Sequence, residues 1–342
     1  NGILAKISRK CKHFFNIFLI FCMIQNLGEI LAQKHKILWK EGAVLPIRRT
    51  DLALEAHALW LAAAKSNTDL GIKTSEHDCC GYHITTVNVP DESCAKALGK
   101  PKGSYVTLDL RNYWTHSSSA FEHAVCALAQ ELRSLITRCQ GGKCVLVVGL
   151  GNDAMTPDAI GPKSAEHILV TRHLKRESAF SSFASVSVLV PGVLGRTGME
   201  AAEIVHGAVN TIRPDLIVAI DALASQRLSR LCTTVQLSDT GIIPGSGVGN
   251  DRCALDHKTL GAPVIAVGVP TVVDAATLCA DVLEEAHITG FDPEALRGHE
   301  RVMVTPRDID AQIEEFSRII GYGINLALQP TLTLKDIMDL LG

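Results

Sequence analysis

The sequence predicts an α/β protein with three layers, a mostly parallel central sheet flanked by helices. Four runs, "CVLVVGLG", "SVSVLVPG", "DLIVAIDAL" and "PVIAVGVP", are apolar almost throughout, as strands buried on both faces must be. Three of them lead into segments with helical apolar spacing, and this alternation marks a parallel sheet. No Pro/Gly/Ser-rich linker or low-complexity segment divides Thr50 from Pro330. Residues 52–342 are therefore expected to form a single domain, preceded by an extension over 1–51.

The elements follow in order. "RTDLALEAHALWLAAAK" has helical apolar spacing with Asp51 near its start. "YHITTVNV" and "SYVTLDL" alternate and are rich in β-branched residues, as strands are, with "PDESCAKALGKPKG" between them. "SAFEHAVCALAQELRSLITRC" predicts an amphipathic helix. "PDAIGPKSAEHILVTRHL", "MEAAEIVHGAVNTI" and "TVVDAATLCADVLEEA" predict the helices that follow three of the apolar strands. "TPRDIDAQIEEFSRIIGYGINLALQP" predicts a closing helix.

Composition narrows the function. With 33 Lys+Arg against 36 Asp+Glu, the net charge is -3, and aromatics are 5% of the chain. No basic run is interleaved with aromatics, so direct nucleic-acid binding is not expected. The 11 cysteines include no C-x-x-C pair, which removes zinc-ribbon spacing and points to reduced thiols used as small core residues. Near the start, the apolar stretch Phe14–Ile24 follows Lys10 and Lys12. A membrane span needs about 20 apolar residues, and no A-x-A-like cleavage site follows, so neither anchor nor signal peptide is expected. Our expectation is that Met23 is the true start and that 1–22 is a gene-model artefact.

In an open parallel sheet, chemistry gathers beyond the carboxyl ends of the strands. After "CVLVVGLG", Thr156 is placed as an N-cap and Pro157 at the first helical position, putting Asp158 in the first turn. A carboxylate favoured by the helix dipole accounts for Asp158 equally well on local sequence alone. Asp221 follows "LIVAI", and an acid ending so apolar a strand must reach a crevice or be paired. Two such acids at neighbouring strand ends can share a proton, activate water with one oxygen and protonate a leaving group with another. Thr197 with Glu200, and Thr271 with Asp274, have the spacing of capping boxes, and Glu200 and Asp274 are read as caps. "GLGND" matches no dinucleotide fingerprint, and no phosphate-loop motif occurs. Ser246 lacks the spacing of a nucleophile elbow, Ser225 has no obvious histidine partner, and H-E-x-x-H is absent.

The ordered motifs "ITTVNV", "AKALGKPKGSYVTLDL", "VVGLGND", "TPDAIGP", "PGVLGRTGMEAAEIVHG", "PDLIVAIDALAS", "TTVQLSDTGIIPGSGVGN" and "LGAPVIAVGVPTVVDA" resemble the germination proteases of spore-forming bacteria. The resemblance runs from about Arg49 to Pro330. It implies an atypical aspartic endopeptidase with a core like that of hydrogenase maturation proteases, needing no cofactor or metal. Its two essential aspartates fall on Asp158 in "TPDAIGP" and Asp221 in "VAIDALAS". The resemblance further implies a self-processing zymogen, a homotetramer in the spore interior, and small acid-soluble spore proteins as substrates. Cleavage is expected where an acid precedes an apolar residue with a second acid a few residues on. "RTDLALE" has that form, which places self-cleavage between Asp51 and Leu52. Gly245, Ser246, Gly247 and Gly249 are candidates for lining the substrate cleft. The family pattern puts a histidine where this chain has Ile243, and the segment before Pro46 is longer and more apolar than the pattern. Two other readings stand beside this one: a metal-dependent maturation-type peptidase with Asp158 and Asp221 as ligands, and a non-catalytic binder of spore proteins.

Overall fold

The computed structural model describes residues 50–63, 71–115, 119–246, 252–288 and 302–341. The expectations for 1–49, including the start at Met23, lie outside them. The described residues from 50 to 287 and from 302 to 341 belong to one compact unit.

Among the described residues nine strands form one sheet: β1 (Lys73–Cys79), β2 (Tyr82–Val89), β3 (Gly103–Asp109), β4 (Cys144–Gly149), β5 (Ser185–Leu189), β6 (Leu216–Ala224), β7 (Thr234–Ser238), β8 (Val264–Asp274) and β9 (Met303–Val304). The order is β1-β2-β3-β7-β8-β6-β4-β5, with β9 on the far end of β8. The four apolar runs are β4, β5, β6 and β8, and they pair in parallel as expected. Beyond β8 the sheet continues antiparallel through β7, β3, β2 and β1. The sheet is thus mixed: a parallel half built by crossover connections, and an antiparallel half in which only β1 and β2 are joined by a tight turn.

Alternate residues along each strand face opposite layers. Val145 and Val147 of β4, Val218 and Ile220 of β6, and Ile265 and Val267 of β8 share one core. Over it lie α3 (Ala120–Cys139), α4 (Ile160–Glu166), α9 (Ile309–Leu328) and α10 (Leu334–Leu341), with Phe316 fully buried at the centre. The opposite face carries two smaller caps. α6 (Ala201–Ile212) and α7 (His257–Leu260) cover β4 and β6 through Val205, Val209, Leu146 and Ile217. α1 (Ala53–Ala63) and α2 (Glu92–Leu98) cover β2 and β3 through Ala53, Cys94, Val87 and Tyr105. Between these caps β7 and β8 are also buried, with the Asp51–Ala53 segment hydrogen-bonded to Gln236 and a cavity beside it.

Several local expectations are corrected. "PDESCAKALG" is not a bare connector, because Asp91 accepts from the Ser93 and Cys94 amides and starts α2. "VLGRTG" contains a four-residue helix, α5 (Leu194–Thr197). Thr197 is no capping-box partner of Glu200; the box runs from Glu200 to Glu203 at the start of α6. Thr271 belongs to β8, which continues to Asp274, the residue that caps α8 (Ala275–Glu285) by accepting from the Thr277 amide. Strand pairing with β6 and β9 outcompetes the helical pattern there. The helix after β4 stops at Glu166, and the expected remainder is an irregular stretch with a short turn at Arg172–Leu174.

Candidate active site

Asp158 is placed by backbone crowding. The Thr156–Asp158 segment is a single 3-10 turn, Thr156 makes no capping bond, and α4 begins only at Ile160. Gly149 and Gly161 let the end of β4 and the start of α4 meet backbone to backbone. A Cβ on Gly161 would lie 2.1 Å from the Leu150 carbonyl oxygen and 2.6 Å from that of Ile220. At Gly151, φ is +113° and a Cβ would come within 2.0 Å of the Asp158 carbonyl oxygen. Only glycine allows both that conformation and that approach. The Asn152 amide donates to Asp158 Oδ2 at 2.9 Å and to the Asp158 carbonyl at 3.0 Å. The glycine-rich turn therefore grips a carboxylate side chain belonging to its own loop.

β8 supplies the third support. The register between β6 and β8 slips at Leu223 and Ala224, leaving Thr271 as the extra residue. A bulge of this kind re-aims a side chain. Here Thr271 Oγ1 donates to the Pro157 carbonyl at 2.7 Å, pinning the turn that carries Asp158.

Asp221 does not end its strand, as the sequence reading had it. β6 continues to Ala224, and Asp221 sits within it, 4% exposed. Leu150 donates to the Ile220 carbonyl at 2.8 Å, so the loop holding Asp158 runs directly past Asp221. Desolvation pushes the Asp158 carboxyl up to about 6, against the Asn152 amide and the Arg252 charge, which pull it down. Asp221 is pushed well above the carboxylate range, by burial first, then by the charge of Asp158 and, more weakly, of Asp51. These are two neighbouring acids that resist ionising together.

The segment expected to be cut lies beside this pair. The Asp51 amide donates to the Ala224 carbonyl at 2.9 Å, and the Ala224 amide donates back to Asp51 Oδ2 at 2.9 Å. Ser246 Oγ donates to Asp51 Oδ1 at 2.7 Å, so this cleft candidate touches the segment. Gly245 is in the left-handed region at φ +76°, while Gly247 and Gly249 lie outside the described residues. The second acid, Glu55, accepts from the Gln226 and Arg227 amides at 2.7 and 3.1 Å and from the Thr50 hydroxyl. Leu52 is fully buried. Next to the segment is a cavity of about 320 Å³ lined by Asp51, Lys100, Tyr105, Gln236, Ser246 and Gly268, among others, with Ile243 at its edge. Lys100 Nζ donates to the Thr50 carbonyl at 2.9 Å; burial pulls its ammonium down, opposed by the charges of Asp51 and Glu55.

Sequence reasoning did not single out Gln236, which binds the Asp51–Ala53 segment, or the support that Thr271 gives the Asp158 turn. Gln236 was missed with its strand, although the alternation in "TVQLS" was a usable signal: Thr234, Gln236 and Ser238 are polar yet buried. Ser225 is buried and donates to the Arg227 carbonyl at 3.1 Å, a local structural bond. Among the described residues no group of three or more His, Cys, Asp or Glu side chains could hold a metal ion. None of the described helices is long and apolar enough to cross a membrane.

The profile of the germination protease family matches residues 50–289, which span the turn with Asp158, the strand with Asp221 and the Asp51–Leu52 segment. The chain belongs to that family. A germination protease of Caldanaerobacter subterraneus is 42% identical over 321 residues, covering 86% of this chain and 98% of that protein. One from Clostridium acetobutylicum is 41% identical over 319 residues, covering 84% and 97%. Among solved structures, the chain is similar to a [NiFe] hydrogenase maturation protease, HycI, from Thermococcus kodakarensis, at TM-score 0.32 and 18% identity, covering 57% of this chain and 98% of that one. Membership in the family makes this chain an endopeptidase of spore germination.

Proposed function

We propose that the chain is an aspartate-pair endopeptidase that cuts itself between Asp51 and Leu52 and then begins the degradation of small acid-soluble spore proteins. The observation that carries this reading is the neighbourhood of Asp158, Asp221 and the Asp51–Leu52 segment. Asp158, which ionises first, serves as the base that takes a proton from water. Asp221, buried and slower to ionise, keeps its proton and gives it to the departing amine. Water adds its oxygen to the carbonyl carbon, the C–N bond breaks, and the two protons end on the pair and the new amine. Assembly as a homotetramer in the spore interior belongs to the same reading, and a monomer mass by light scattering would remove that part.

The test sets wild type against Asp158→Asn and Asp221→Asn, each mixed with a small acid-soluble spore protein and followed by mass spectrometry. The expected result is cleavage by wild type alone. Products from either variant at the wild-type rate would overturn the aspartate roles. Loss of wild-type activity on exhaustive chelation would favour a metal site on the same two residues instead.

A further inference from the structure

Gln236 stands two strands from Asp221 on the same face of the sheet. In the sheet register Asp221 pairs with Gly268 and Gly268 with Gln236, so both side chains rise from the same face with a glycine between them. Neighbouring strands are about 4.8 Å apart, which sets the two about 10 Å apart across the sheet, and the Leu223 side chain packs over the glycine between them. The Gln236 carboxamide grips the peptide on both sides of the expected cut. Its Nε2 donates to the Asp51 carbonyl oxygen at 3.2 Å, and its Oε1 accepts from the Ala53 amide at 2.8 Å. The two acids fix the register of that grip. Asp51 is held by the Ala224 amide and the Ser246 hydroxyl, and Glu55 by the amides of Gln226 and Arg227.

We propose that Gln236 is the electrophilic residue of the self-processing reaction: its side-chain N–H holds the Asp51 carbonyl oxygen while water attacks the carbon. This rests on the proposed cut at Asp51–Leu52. When water adds, the oxygen gains negative charge and the Nε2 hydrogen bond strengthens. The Oε1 bond to Ala53 keeps the carboxamide from turning away. A donor so placed stabilises the transition state more than the ground state, and removing one costs on the order of 10²–10³-fold in rate.

The experiment follows self-processing of the full chain on SDS gels, with mass spectrometry of the cut ends, for wild type, Gln236→Ala, Gln236→Glu and Asp221→Asn. Gln236→Ala is expected to process about 10²–10³-fold more slowly. Gln236→Glu can still accept from Ala53, but it can donate to the Asp51 carbonyl only when protonated. Its rate relative to wild type should therefore climb as pH falls, which a packing role does not produce. A Glu-to-wild-type ratio that is flat with pH overturns the inference, whether or not the Ala variant folds. So does wild-type processing by Gln236→Ala, or a cut at another bond. If Asp221→Asn processes normally, it is the aspartate reading that fails, and the Gln236 ratio still reports on its own role.

Discussion

Asp158 and Asp221 are carboxyls whose surroundings favour the proton. A folded-state value above the ordinary 3.8 means the native state binds more protons than the unfolded one, so these groups lower stability as pH rises. For Asp158 that loss spans the window from 3.8 to about 6, and for Asp221 it extends higher. Replacing Asp158 by Asn removes the penalty while an amide oxygen can still accept from Asn152. We predict that Asp158→Asn melts above wild type near neutral pH and level with it near pH 4 in thermal unfolding; a lower melting point at neutral pH would contradict this. The same titration sets the rate. With Asp158 as base, kcat/KM for an acidic spore-protein peptide should climb as pH rises and level off past about 6, and a profile with no break there would exclude the assignment. Both acids were readable in the sequence, one beside a glycine turn and one interrupting an apolar run. The strand of Gln236 could be read from its alternation, but the burial of Gln236 could not, because a polar residue in a short strand looks solvent-facing until the fold shows what covers it.

The elements around the site owe their spacing to missing side chains. Gly149 and Gly161 bring β4 and α4 into backbone contact, with Leu150 and Ile220 carbonyls where a Cβ would have to go. Because those obstacles are backbone, they cannot rotate aside. Gly161→Ala should lose about 3 kcal/mol or more, read as a lower urea midpoint, and should displace Asp158 with it. A midpoint within experimental error of wild type would contradict the close packing. At this scale sequence and structure parted where two patterns competed. Thr271 and Asp274 have capping-box spacing, yet β-pairing claims Thr271 and only Asp274 caps a helix. β1 escaped notice because "KTSEHDC" is exposed at every residue but Cys79, so it carries no apolar alternation. Its charges suit an open sheet edge, where unpaired backbone would otherwise recruit another chain.

Across the whole molecule, the layered α/β plan and the parallel half of the sheet were legible because strands buried on both faces leave an unbroken apolar signature. The antiparallel half was only partly so, since its pairing partners are distant in sequence and their residues are more mixed. The large core between the sheet and α3, α4 and α9 centres on Phe316, on the face opposite the Asp221 side chain. Phe316→Ala should cost about 3–5 kcal/mol in denaturant titration yet leave the pH dependence of cleavage unchanged. A shifted pH break in that variant would mean that the two faces are coupled.

Leu52 is sealed from solvent, and that has a bearing on the fate of the fragments. Hydrolysis at its amide would replace a neutral group with an ammonium on one stump and a second carboxylate beside Asp51 on the other. Ions stranded in so dry a niche carry a penalty of several kcal/mol each. The severed strands would be driven outward toward water, making the event hard to reverse and vacating the trough for the next polypeptide.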